Sequence, residues 1–151
     1  MIKNITNNKK AFFDYEIIEK YEAGMVLTGS EVKAIREGRI NLKDSFIDIK
    51  DGEAFLIGSH ISPYSNASYN NHEPERKRKL LLHKREITKM DTKVKAKGVT
   101  IVPLRMFFTD KGRVKIEIAL AKGKRVHDKK SRIIEEDIKR DMARELKNYR
   151  Y

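Results

Sequence analysis

The sequence predicts a small, mainly β domain with flanking helices, an OB-like closed antiparallel β-barrel of about six strands, followed by a separate basic tail. Three observations point there. Across residues 113–121, Val114, Ile116, Ile118 and Leu120 alternate with Arg113, Lys115, Glu117, Ala119 and Ala121, the period-two pattern of a strand with one buried face. Residues 45–50 and 53–58 are β-prone runs joined by Asp51-Gly52, a dipeptide that tolerates the two positive φ angles of a type I′ hairpin turn. Several short strands with antiparallel turn signals in one small domain favour closure, because a closed sheet exposes no edge.

The other elements follow in order. Residues 13–19 and the short run 25–27 read as strands. Thr28 and Glu31 have capping-box spacing, Val32 and Ile35 share a helical face, and Gly38 is placed to end the helix in a left-handed conformation, which predicts a helix over residues 30–37. Residues 59–75 are rich in Ser, Asn and Pro, carry Tyr64 and Tyr69, and have too little apolar content for a core element; they read as a functional or mobile loop. Ile87, Met90 and Val94 recur at helical spacing before Gly98, giving a second helix over 84–97. A strand over 99–108 turns through Asp110 and Gly112 into the 113–121 strand, with Pro103 expected at an edge or bulge where a missing N–H costs little. Strand alternation stops at Ala121, so the chain divides into a domain, 1–121, and a tail, 122–151, that is helix-prone from about 131.

Composition narrows the function. A chain of 151 residues has room for one domain with a real core. Its 34 Lys and Arg against 22 Asp and Glu leave a net charge of +12, an imbalance that favours a polyanionic partner, with nucleic acid ahead of a membrane surface. Residues 1–11 lack the apolar stretch of a signal peptide and no apolar run is long enough to span a bilayer, so a cytoplasmic protein is expected. The absence of cysteine excludes disulfides, thiol nucleophiles and cysteine-containing zinc sites. His60, His72, His83 and His127 offer no short ligand pair, so neither a metal nor another cofactor is expected. With no phosphate-binding glycine motif and no nucleophile-elbow signature, the chain reads as a binding protein and not an enzyme. No long apolar patch demands a dimer, so a monomer is expected.

Two segments carry most of the basic character. Residues 76–85 place six Lys or Arg in ten positions with no acid among them, enough to neutralise several phosphates and release their counterions; the competing reading is a solvated face leading into the next helix. The embedded Leu80, Leu81 and Leu82 anchor this run on the domain. The tail has eleven Lys or Arg against six acids. Beyond a Ser131 N-cap candidate, Ile134, Ile138, Met142 and Leu146 recur every four residues, while Glu135 with Lys139 and Glu136 with Arg140 have the favourable i,i+4 orientation. So thin a stripe makes a marginal helix in water. Composition does not separate a tail that folds on a partner from one that docks on its own domain.

Several segments, taken in order and spacing, resemble the SsrA-binding protein family, SmpB. They are Asn8-Lys9-Lys10-Ala11 with Tyr15; Tyr21-Glu22-Ala23-Gly24; Gly29-Ser30-Glu31-Val32-Lys33-Ala34-Ile35-Arg36; Asp51-Gly52-Glu53-Ala54; residues 76–86 with their triple leucine; Ala119-Leu120-Ala121-Lys122-Gly123-Lys124; and His127-Asp128-Lys129. The resemblance implies an OB-like barrel that binds the tRNA-like domain of transfer-messenger RNA, and a tail that enters the empty message channel of a stalled ribosome and turns helical there, so that decoding proceeds without codon pairing. The partners implied are transfer-messenger RNA and the ribosomal RNA of the small subunit.

Carried over position by position, it places Asn8, Lys9, Lys10, Tyr15, Glu22, Arg76, Arg78, Lys79 and Leu82 on the RNA-facing side, with Lys122, Lys124 and Arg125 at the junction with the tail. Cations there would meet phosphates, Tyr15 would stack or hydrogen-bond, and Glu22 would orient a neighbouring cation or accept from a base amine. His127 matches the position that stacks on a ribosomal base. Asp128, Lys129, Lys130, Arg132, Lys139, Arg140, Met142, Arg144 and Leu146 would complete the decoding-centre and channel contacts. Lys130 stands where the family has Arg, keeping the charge but losing the planar fork. Ile138 replaces the tryptophan of some relatives, and Glu145 stands where an apolar residue can occur. The alternative reading is an OB-fold ribosomal or ribosome-assembly protein that binds ribosomal RNA.

Overall fold

A computed structural model describes residues 3–64 and 71–124. Its elements run β1 (Lys3–Asn7), α1 (Lys9–Asp14), β2 (Tyr15–Met25), α2 (Gly29–Arg36), β3 (Ile40–Asn41), β4 (Phe46–Lys50), β5 (Glu53–Ile57), β6 (His60–Ile61), β7 (Arg78–Leu81), α3 (Lys84–Val94), β8 (Val99–Phe108) and β9 (Val114–Gly123). The domain is mainly β with helices. Seven strands form one antiparallel sheet in the order β1-β8-β9-β2-β7-β5-β4, and β3 pairs with β6 apart from it.

The expected closed barrel of about six strands is not what the pairing gives: β1 and β4 end the sheet, and among the described residues no ladder joins them or returns β4 to β8. A cavity of about 180 Å³ lies between β4 and β8, and Asp91 and Val94 of α3 share its lining with Phe46, Ile47, Ile49 and Ile101. Side chains of β4, β8 and α3 line the seam where a closing ladder would run.

The β8–β9 hairpin is the spine. Val114, Ile116, Ile118 and Leu120 are buried, as their alternation predicts, but Ala119 and Ala121 are buried too. The sheet therefore has cover on both faces here. The larger core gathers Ile35, Leu42, Ile47, Leu56, Ile61, Leu80 and Met90 around one face, while Ala11 of α1 packs with Val102, Leu104, Ala119 and Ala121 on the other. Pro103 lies at a register shift between Pro103 and Arg105, the bulge that its missing N–H favours.

That bulge is where the N-terminus attaches. Asn8 N–H donates to Leu104 O at 2.8 Å, its amide Nδ2 donates to Pro103 O at 2.9 Å and to Leu42 O at 3.3 Å, and its Oδ1 accepts from Ala11 N–H at 3.3 Å as the N-cap of α1. Asn8→Ala is expected to lower stability by about 1–3 kcal/mol, because it removes the cap and the side-chain donor to Pro103 O; urea unfolding at neutral pH measures it.

Three expectations are corrected. Phe13 belongs to α1, and β2 is a single strand of 11 residues from Tyr15 to Met25, so the separate strands at 13–19 and 25–27 do not exist as such. The second helix stops at Val94 and not at 97, its end handed over through bonds from Lys95 and Ala96 N–H before Gly98, at φ 81°. The 59–75 loop is held where it is described: β6 pairs with β3, Asn71 bonds the backbone of Tyr64 in both directions, and His72 bridges Ser30 Oγ at 2.9 Å and Ile61 O at 2.8 Å. The capping box at Thr28 and Glu31 is present, and Asp51 and Gly52 have φ of 53° and 77°, the two positive values of the predicted hairpin turn. Strand β9 runs on through Lys122 and Gly123, two residues past the expected domain boundary.

Candidate nucleic-acid interface

The basic run at 76–85 is folded in a way its composition hides. As a strand between β2 and β5, β7 alternates: Arg78 and Leu80 point inward, Lys79 and Leu81 outward. Arg78 is fully buried. Its Nε and Nη2 lie 2.8 and 2.7 Å from Glu31 Oε2, Nη1 donates to the carbonyl and hydroxyl of Ser59, and Nη2 also donates to Glu73 O and Pro74 O. Arg76 grips the same carboxylate bidentately, Nη2 to Oε1 at 2.7 Å and Nε to Oε2 at 3.1 Å.

Glu31, also fully buried, accepts from both guanidinium forks and, closing the capping box, from Thr28 N–H at 2.8 Å. Burial alone pushes its carboxyl up, but the bonds from Arg76 and the Thr28 backbone, with the Arg78 charge, outweigh it and hold it at about 2. One carboxylate thus ties α2 to β7 and, through Arg78, to the end of the 59–75 loop.

The outward residues of β7 line a cleft of about 690 Å³ shared with β2, the β4–β5 turn, the start of α3 and β9. Leu81, 53% exposed, sits among Glu22, Lys79, Leu82, Lys84 and Lys115. Lys115 Nζ is 3.8 Å from Glu22, and Lys79 bonds Glu53 at 2.6 Å. The cleft is therefore mixed in charge, cations held beside carboxylates around an apolar floor. Such a surface can contact phosphate, accept from a base amine and cover a ribose or base face, whereas bare phosphate would need cations alone.

The far end of β2 builds a second patch. Seven residues separate Tyr15 from Glu22, about 23 Å of strand. Lys9 and Lys10 project from α1, and Lys10 bonds Asp44 at 2.6 Å, which raises the lysine and lowers the aspartate. Phe12 and Phe13 are 47% and 64% exposed, and the Lys124 ammonium lies 5.8 Å from the Phe13 ring. Lys124 N–H donates to Asp14 O at 2.9 Å, which ties the chain leaving β9 to α1. Aromatics interleaved with cations at the surface are stacking platforms for unpaired bases.

The expected site residues thus fall into three places. Lys9, Lys10, Tyr15, Lys122 and Lys124 gather at the α1 end; Glu22, Lys79 and Leu82 line the cleft; and Asn8, Arg78 and most of Arg76 are committed to holding the domain together. Arg125, His127, Asp128, Lys129, Lys130, Arg132, Lys139, Arg140, Met142, Arg144 and Leu146, with the helix expected from about 131, lie outside the described residues. Sequence reading missed Phe12 and took Phe13 into a strand, and it missed the grouping of Lys115 and Leu81 with Glu22. Among the described residues no cluster of His, Asp and Glu could hold a metal ion, and no helix is long and apolar enough to cross a membrane.

Comparison with known proteins decides the family. The SmpB protein model matches residues 5–148. The chain belongs to the SmpB family. An SsrA-binding protein from Sulfurihydrogenibium sp. (strain YO3AOP1) is 58% identical over 145 residues, covering 96% of this chain and 95% of that protein. Another, from Thermosipho africanus (strain TCF52B), is 51% identical over 149 residues, covering 99% and 100%. A solved structure described as "tmRNA-SmpB: a journey to the center of the bacterial ribosome" matches with a TM-score of 0.70 at 43% identity, covering 91% of this chain and 96% of its own. SmpB membership thus extends over the described domain and most of the tail.

Proposed function

We propose that this protein binds transfer-messenger RNA and acts with it on the ribosome in trans-translation. The observation that carries the reading is the likeness to SsrA-binding proteins over nearly the whole chain. The mixed-charge cleft around Leu81, with the cation and aromatic patch on α1, supplies the surface such a role needs. On this reading the sheet is an OB-like barrel interrupted at the seam between β4 and β8. Glu22 orients Lys115, the cations at Lys79, Lys9, Lys10 and Lys124 meet phosphates, and Phe13 joins Tyr15 in stacking.

Asn8 and Arg78 act by positioning, since their polar atoms are spent inside the domain. The tail, set off from the domain 1–121 in composition, supplies the contacts to the decoding centre and message channel through His127 and the basic residues after it. The protein works as a cytoplasmic monomer by occupying space and charge, with no covalent step.

Sequencing the RNA that co-purifies with the full chain at moderate salt tests this, because nonspecific phosphate binding weakens steeply as salt rises. Enrichment of transfer-messenger RNA is the expected result. Enrichment of mature ribosomal RNA without it would overturn the reading in favour of a ribosomal or assembly protein.

A further inference from the structure

The inner face of α3 is spent on packing: Ile87 and Met90 are buried and Val94 packs on the core. Its outer face is of another kind. Lys84, Arg85, Thr88, Lys89, Thr92 and Lys93 line a shallow groove of about 650 Å³ in which no carboxylate takes part. The helix's own acids are turned elsewhere. Glu86 bonds His83 N–H at 2.9 Å at the helix start, and Asp91 lines the cavity between β4 and β8.

The acid that meets this face from a neighbouring element is Glu19 of β2, which accepts from Lys89 at 3.0 Å, Lys93 at 3.2 Å and the Tyr21 hydroxyl at 2.7 Å. Those bonds hold the Glu19 carboxyl down to about 2, so it stays ionised and keeps both lysine side chains in place. Lys84 and Arg85 form no ion pair within the described residues.

Lys84 also lines the Leu81 cleft. The groove and the cleft are therefore continuous at one residue. A helix of 11 residues is about 16 Å long, enough to face several consecutive phosphates of one strand. We propose that the outer face of α3 is a second phosphate-binding track for the RNA held in the Leu81 cleft, followed from Lys84 and Arg85 towards Lys93, with Glu19 fixing the far pair of lysines. The proposal rests on the reading that the cleft holds the tRNA-like domain of transfer-messenger RNA. Charge complementarity and continuity with that cleft assign the occupant.

The test is equilibrium binding of the full chain to a transcript of that tRNA-like domain over a series of KCl concentrations. Lys84→Gln with Arg85→Gln removes two unpaired cations from an exposed helix face while keeping good helix formers, and an unchanged thermal melt confirms the fold. The double variant is expected to bind roughly tenfold more weakly at low salt, with the slope of log affinity against log salt reduced by about 1.5. The charge-preserving pair Lys84→Arg with Arg85→Lys keeps the wild-type slope.

Leu81→Asp serves as the cleft control. Loss of binding in Leu81→Asp together with a wild-type slope in the glutamine variant would overturn this proposal alone. Failure of the wild-type chain to bind the transcript would overturn the cleft reading and this proposal with it. Wild-type affinity for the transcript combined with weakened binding to purified ribosomes would reassign the track to ribosomal RNA, which also overturns it.

Discussion

Arg78→Ala is expected to destabilise the domain by about 3–5 kcal/mol, the cost of leaving a buried charge without its partner, against a total stability of about 5–15 kcal/mol for a domain of this kind. The variant strips Glu31 of one guanidinium, takes the side-chain donor from Ser59 O, and removes one of the two donors to Glu73 O and to Pro74 O, which keep Arg76 N–H and Ile61 N–H. Urea unfolding measures it; a loss under about 1 kcal/mol would show the network to be dispensable. Glu31→Gln has a distinct signature. The Glu31 carboxyl has an ordinary value of 4.5 and sits at about 2 in the folded protein.

A depressed folded pKa contributes stability that is complete above the unfolded value and declines as pH falls through the folded one. Wild-type stability should therefore drop between about pH 4.5 and pH 2, and that part of the drop should vanish in Glu31→Gln. Replacing Glu31 by Leu and Arg78 by Met together should cost less than the two single changes summed, because neither partner is then stranded. RNA affinity should still fall in the double variant: the network fixes which β7 residues face the cleft, and a one-residue slip of so short a strand would turn Leu81 inward.

The second large effect concerns the tail. Deleting residues 129–151 should leave affinity for the tRNA-like RNA within about twofold, since the residues of the cleft and of the α1 patch all precede the deletion and no phosphate contact is removed from them. Tagging of stalled nascent chains should be abolished. The deletion removes eight Lys and Arg and the thin apolar stripe of the tail. Gel-shift titration and a reconstituted tagging reaction read the two arms separately; joint loss of both would sink the division of labour between domain and tail.

Local signals were legible wherever the deciding partner lay close in sequence. The Asp51-Gly52 hairpin, the Thr28–Glu31 capping box and the β8–β9 pair each depend on residues within a few positions of one another, and each formed as read. Elements were missed where the partner is distant. The run Lys3–Asn7 has no apolar alternation, and it is a strand because the bulged edge of β8 offers it hydrogen bonds. Residues 9–14 hold two β-prone phenylalanines, yet Asn8, bonded to carbonyls at positions 42 and 103, caps them as a helix.

At the candidate site the same limit applies more sharply. Six cations in ten positions read as surface, but what turns Arg78 inward is a glutamate 47 residues earlier, and no local pattern announces that pairing. Glu22 was recognisable as a position, while its neighbour Lys115 follows only from the register that sets Glu22 opposite Glu117.

The sheet order also sets a timetable for synthesis. Among the described residues strand β1 has its ladder with β8, pairing Lys3 with Phe108 and Asn7 with Arg105, so it must wait for about a hundred further residues to emerge. The β8–β9 hairpin and the β4–β5 hairpin can close early and locally, whereas seating β1 and capping α1 close the longest loop and come last. Asn8 is thus a completion latch: its bonds to Pro103 O and Leu104 O can form only once β8 is in place, so Lys9, Lys10, Phe13 and Tyr15 take up their places on a chain whose sheet has been finished.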